Sequence, residues 1–261
     1  MAVLLQGIAL YGAKRLRGTT LMVPCLWAAT AAACLLLLAY GGAQFEVGLG
    51  LAVLRFAVAA GTLCPVIAVL GAKRPQDRGW QWVVASLWLV VLWPAAQTLA
   101  NPAGPTVEII TPWRMFIVAL IAMGPLNYLP TRHWLASLFV AGGQLLLFSR
   151  YLGVYEPADW FPLAMICFMV AAVAILVRRG GGVPREGGLI AQNQRWLVYR
   201  DAFGAFWGLR VLQRVNETAT LRRWPVRLSW AGFDKVDDTE LTDAQLVEIN
   251  QSFDTLLRRF L

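Results

Sequence analysis

The chain has 261 residues, 58% of them apolar and 15% charged, with a net charge of +8 and a mean hydropathy of +0.58. Charged residues make up about a quarter of an ordinary soluble domain, so that class is excluded. The 12 tryptophans and 12 phenylalanines likewise exclude a disordered chain that leaves its surface in water. What remains is a multi-spanning membrane protein, and a single histidine and 4 cysteines restrict its catalytic chemistry from the outset.

Residues 1–12 (MAVLLQGIALYG) are apolar but too short to cross a hydrocarbon core, which takes about 20 residues. Lys14, Arg15 and Arg17 follow them, whereas a secretory signal places its charge first and a small-residue cleavage site last. Residues 1–20 are therefore expected to form an interfacial helix on the cytoplasmic side.

Six apolar runs of spanning length follow, over residues 21–40, 47–70, 80–99, 113–129, 134–152 and 160–177. Trp80, Trp82, Trp113, Trp134 and Trp160 stand at their ends, where an amphipathic ring sits at headgroup level. Cys25, Cys34, Cys64 and Cys167 all fall inside spans and read as small hydrophobes. No CxxC pair or disulfide framework is present.

The second span carries Arg55, whose burial near a bilayer centre costs roughly 2.5–3.5 kcal/mol. Arg114 begins the fourth span and Arg150 lies near the end of the fifth, on the same outer side. Beside Glu46, Glu108, Glu156 and Asp159 these arginines have two readings: ion pairs that fix the loops, or a site for a carboxylate, phosphate or lipid headgroup. No span contains Asp or Glu, which argues against a carboxylate proton relay.

Gly61, Thr62 and Pro65 in the second span, and Gly124-Pro125 before Asn127 in the fourth, mark helix breaks of the kind transporters use, although Gly and Pro are common in membrane helices generally. Asn127 thus joins the three arginines as a candidate ligand contact. Gln97, Asn127 and Gln144 also suit interhelical hydrogen bonding. His133, the lone histidine, rules out two-histidine haem ligation within one chain and multi-histidine metal sites. It lies one turn before Ser137, but no GxSxG accompanies the pair, and an interfacial histidine is the simpler reading.

After the last span, residues 178–189 form a Gly-rich linker into a tail over 190–261. From Gln194 to Val215, Trp196, Tyr199, Phe203, Phe206, Trp207, Val211 and Val215 recur at helical spacing, and Gly204 and Gly208 are spaced to admit a close neighbour. Val226, Leu228 and Trp230 alternate with polar residues as in a strand that has no partner in the chain, either a strap on the protein's own surface or an edge for another subunit. Thr242 with Gln245 reads as a capping box opening a last helix with Leu246, Ile249, Phe253, Leu256, Leu257 and Phe260 on one face. That face packs on the first tail helix or on a partner. Asn216-Glu217-Thr218 is a glycosylation sequon that stays silent in the cytoplasm.

The connections alternate in charge. Lys and Arg cluster before the first span, at Lys73, Arg74 and Arg78, at Arg132, and at Arg178 and Arg179, while the intervening loops carry only acids. By the positive-inside rule both termini are cytoplasmic, in the plasma (inner) membrane, and the high net charge is a topology signal with no nucleic-acid footprint in it.

The expected fold is thus all-α: a six-helix transmembrane bundle with a small cytoplasmic helical C-terminal region. Phosphate-loop, dinucleotide and calcium-loop motifs all fail on their required residues, so neither an enzyme nor a cofactor is expected. The tail points to a non-catalytic scaffold or accessory subunit, with Trp196, Phe203, Trp207, Trp230 and Phe253 as contacts for a protein partner or a second copy. The alternative is a transporter or a lipid- or anion-binding protein using the outer arginines and the broken helices.

Overall fold

The computed structural model describes residues 1–41, 48–101, 106–153, 160–178, 188–236 and 241–260. Its elements in chain order are α1 (Ala2–Arg15), α2 (Met22–Gly41), α3 (Leu49–Gly61), α4 (Cys64–Leu70), α5 (Asp77–Val91), α6 (Trp93–Ala100), α7 (Thr111–Tyr128), α8 (Trp134–Leu152) and α9 (Trp160–Val177). There follow α10 (Leu189–Arg222), β1 (Val226–Leu228), β2 (Phe233–Lys235) and α11 (Asp243–Leu257).

Among the described residues, four helical segments are long and apolar enough to cross a membrane: α2, α3 with α4 as Leu49–Leu70, α8 and α9. A fifth crossing results if α5 and α6, bent by 43°, count as one span. The bend falls at Leu92, just before Pro94, whose missing N–H cannot continue the ladder. The remaining expected span, α7, is a helix of 18 residues diluted by Arg114 at one end and Asn127 at the other. Apolar side chains such as Leu37, Leu89, Met115, Leu126 and Val177 stand exposed on the outside of these helices. Helix α9 is apolar on every face yet buries few residues, as suits contact with lipid.

Two cores form. In the bundle, Phe56 meets Phe148 and Tyr151 edge-on at centroid distances of 5.9 and 4.9 Å, and the Tyr151 hydroxyl donates to the Ala52 carbonyl. The Thr62–Leu63 break between α3 and α4 is bridged from α8, where buried Gln144 donates to the Thr62 carbonyl at 2.8 Å. Helix α1 folds back against α2 and also touches α9, burying Ala2 and Leu5 in the bundle core. It is therefore the first arm of a helical hairpin with α2.

The second core belongs to the tail, where Trp196, Tyr199, Phe203 and Trp207 of α10 pack with Phe233, Ile249, Phe253 and Phe260. The expected solitary strand is corrected here, and with it the purely helical reading of the tail. β1 pairs antiparallel with β2, Val226 opposite Lys235 and Leu228 opposite Phe233, across a turn closed by Ser229 and Gly232. Gly232 takes φ 143°, open to glycine. A three-residue partner strand is too short to show alternation, so the pattern alone could not reveal it. The capping box of α11 is present, with Gln245 N–H donating to Thr242 Oγ1 at 3.3 Å and Thr242 N–H to Gln245 Oε1 at 3.1 Å.

Candidate functional site

Helix α10 is interrupted at Gly204, where φ is 76° and ψ is −170°. Such a break withdraws partners from the backbone groups on either side of it, and those groups must be satisfied elsewhere. The last turn of α7 supplies replacements. Asn127 Oδ1 accepts from Phe206 N–H at 2.9 Å, Asn127 Nδ2 donates to the Phe203 carbonyl at 3.3 Å, and the Tyr128 hydroxyl donates to the Ala202 carbonyl at 3.1 Å. Asn127 is buried in this joint, with both its oxygen and its nitrogen bonded to the tail.

Further links surround the joint. Asp201, buried, pairs with Arg132 at 3.2 Å and Arg200 at 2.8 Å, and Arg132 N–H also donates to it. Arg200 donates to the Trp230 carbonyl and stacks on the Trp230 ring, while Trp230 Nε1 donates to the Pro130 carbonyl at 2.7 Å. Arg178, just past α9, donates to the Arg132 carbonyl. Trp207 Nε1 donates to the Val69 carbonyl at the end of α4. The C-terminal turn is tied down as well: Thr20 N–H donates to the Phe260 carbonyl at 3.0 Å and Arg74 N–H to the Arg259 carbonyl at 2.8 Å. The Thr20 hydroxyl lies 2.9 Å from the carbonyls of both Ala72 and Phe260. One end of the bundle, contributed by Thr20, residues 69–74 and residues 127–132, thus carries the tail.

Of the residues expected to contact a partner, Trp196, Phe203, Trp207 and Phe253 are buried in the tail core or against the bundle, and Trp230 is partly buried between α10 and Pro130. Their aromatic face is filled from within the chain. Phe260 alone stands within 5.0–5.3 Å of the Tyr199, Phe203 and Trp207 rings.

The outer arginines separate. Arg55 and Arg150 line one small cavity with Trp160, about 10 Å³, room for a single water, and the Arg55 guanidinium lies 5.5 Å from the Trp160 ring centroid. Arg114 instead donates through Nε to the Ile109 carbonyl at 3.0 Å and reaches Gly153 at the end of α8. Glu46, Glu156 and Asp159, their expected partners along with Glu108, lie outside the described residues. The Ser137 hydroxyl donates to the Trp134 carbonyl of its own helix, and His133 stands at the N-cap of α8.

Two carboxamides and one cavity went unread in the sequence. Asn193 accepts from Phe233 N–H, and Asn216 both donates to the Leu228 carbonyl and accepts from Leu228 N–H, so these two side chains stitch the hairpin to α10 as Asn127 stitches α10 to α7. A polar residue on an amphipathic helix carries no signal of which distant backbone it serves. The cavity, about 320 Å³, lies where α10, the end of α11 and the loop after α4 meet, and Lys73, Arg210, Arg214 and Arg259 line it over Trp207 and Phe260. Burial first, then Arg259, Arg210 and Arg214, hold the Lys73 ammonium below the ordinary lysine range. No family model, curated protein or solved structure matches this chain.

Proposed function

We propose that the chain is a non-catalytic scaffold or accessory subunit of the inner membrane, crossing it six times with both termini in the cytoplasm and presenting its tail as a fixed platform. The observation that carries this reading is the Asn127–Gly204 joint, which makes the tail an integral part of the bundle end. The segments that hold the tail, at Thr20, 69–74 and 127–132, are those beside which the basic residues cluster, as a cytoplasmic face requires. Because the tail's aromatic face is already covered, a partner or a second copy meets the outer side of the platform. There Leu221, Val236 and Val247 stand exposed around the Arg222–Glu248 pair and the Val236–Pro225 bond.

Purification of the full chain in mild detergent with cross-linking and mass spectrometry tests this. Cross-links from the 221–248 surface to another chain are expected; a monomer with no reproducible neighbour overturns it.

A second reading, lipid or anion binding at the outer side, rests on Arg55 and Arg150 sharing one cavity with Trp160. Under that reading Arg55→Ala abolishes ligand retention, whereas a structural pair loses only stability. A transport path through the broken helices draws less support, since the Thr62 carbonyl is bridged by Gln144 and Asn127 is engaged by α10.

A further inference from the structure

The cavity between the tail and the loop after α4 is distinct from everything the platform reading uses. Four cations reach it from three separate segments: Lys73 from the loop, Arg210 and Arg214 from α10, and Arg259 from the end of α11. Among the described residues one acid lines it, Glu217, whose carboxylate is already shared between Arg214 at 3.1 Å and Gln213 at 3.0 Å. The floor is rigid: Trp207 is bonded to the Val69 carbonyl and packed against Phe260, Lys73 lies 5.4 Å and Arg210 5.2 Å from the Trp207 ring centroid, and the Arg74–Arg259 backbone bond holds the rim.

Cations spread over a solvated face avoid each other; here the fold gathers them around a concavity and leaves positive charge in excess. Burial first, and then the charges of Arg259, Arg210 and Arg214, hold the Lys73 ammonium below its ordinary range, in keeping with the cations crowded around this concavity. A volume of about 320 Å³ suits a headgroup-sized ligand, at the small end of ligand cavities. Lys73 follows the apolar segment Leu49–Leu70 by three residues, and Phe206 and Leu209 stand exposed on α10 beside Arg210 as an apolar flank.

We infer that this cavity binds a phosphate-bearing anion, through the guanidinium groups of Arg210, Arg214 and Arg259 and the Lys73 ammonium. The phosphate comes from an anionic phospholipid headgroup or from a soluble phosphate compound, and the inference is independent of any protein partner.

The test places the full chain in nanodiscs of phosphatidylcholine alone, or of phosphatidylcholine mixed with phosphatidylglycerol, and follows the thermal midpoint by tryptophan fluorescence. The phosphatidylcholine discs are also titrated with inorganic phosphate against chloride at equal ionic strength. A higher midpoint in the phosphatidylglycerol discs identifies the lipid source, and a saturable rise with inorganic phosphate identifies the soluble one; either supports the site. Lys73→Gln with Arg210→Gln must abolish the rise. Arg214→Gln, at a side chain 69% exposed and so without a folding role, must weaken binding about tenfold, the worth of one charge-assisted contact. Glu217→Gln must strengthen it, and Arg258→Gln, outside the cavity, must leave it unchanged. No rise with either probe, or a rise of equal size in wild type and Arg214→Gln, overturns the inference.

Discussion

Asn127 occupies the space that Gly204 leaves empty: a Cβ at position 204 would overlap the Asn127 carboxamide. The absent side chain of one residue and the carboxamide of another, 77 positions apart in the chain, together let α10 break without stranding its backbone. Gly204→Ala is therefore expected to cost about 1–3 kcal/mol from a backbone conformation that essentially only glycine adopts, and more from the overlap. Asn127→Ala leaves two backbone groups short, at about 1–3 kcal/mol each. In the double variant the overlap is gone, so the two losses should add to less than their sum, which a double-mutant cycle on the melting of the tail measures.

Asp201 is the buried acid between Arg132 and Arg200, and removing it leaves two guanidinium groups facing each other. Asp201→Ala is expected to destabilise the docked tail by about 3 kcal/mol, as for breaking a buried pair from one side. Arg132→Ala, at a side chain 34% exposed, should cost about 1 kcal/mol or less. Denaturant titration read by tryptophan fluorescence separates the two, and equal losses would show that Asp201 holds the joint through Arg132 alone.

Phe260 fills the space among Tyr199, Phe203 and Trp207 while its carbonyl accepts from Thr20. Phe260→Ala is expected to cost about 3–5 kcal/mol, the range for emptying an aromatic core position. Because the same residue touches the bundle, the variant should increase protease cutting within α11 as well as lower the melting midpoint.

Burial pushes the Tyr199 hydroxyl above its ordinary value of 10.0. A group whose folded-state pKa is raised gives stability that is whole below the unfolded value and lost as pH rises. The docked tail should therefore be insensitive to this group at neutral pH and weaken above pH 10, and Tyr199→Phe should blunt that alkaline loss in a melting series.

Much of this fold is legible along the chain. The runs at 134–152 and 160–177 are reproduced as α8 and α9 because tryptophans open both. The Thr242–Gln245 capping box announces α11 to the residue. These signals are local, and so they survive in a single sequence. The break in α10 is invisible because the apolar spacing from Trp196 through Phe203 and Trp207 to Val215 runs on through Gly204, and only the distant Asn127 explains it. The same holds for the cation-lined cavity, since Lys73, Arg210 and Arg259 come together only when α11 folds back onto the loop after α4. Lys73, which reads as a topology signal along the chain, shares one concave surface with three arginines of the tail.

The interlock of tail and bundle is tested most directly by cutting the chain between them. A sequence-specific protease site inserted between Gly182 and Val183 permits cleavage of the full protein in mild detergent, followed by size-exclusion chromatography. The severed fragment bearing residues 183–261 is expected to co-elute with the bundle, and to be released when Gly204→Ala is combined with Asp201→Ala. Release of the fragment from the otherwise wild-type protein would contradict the interlock and with it the fixed platform.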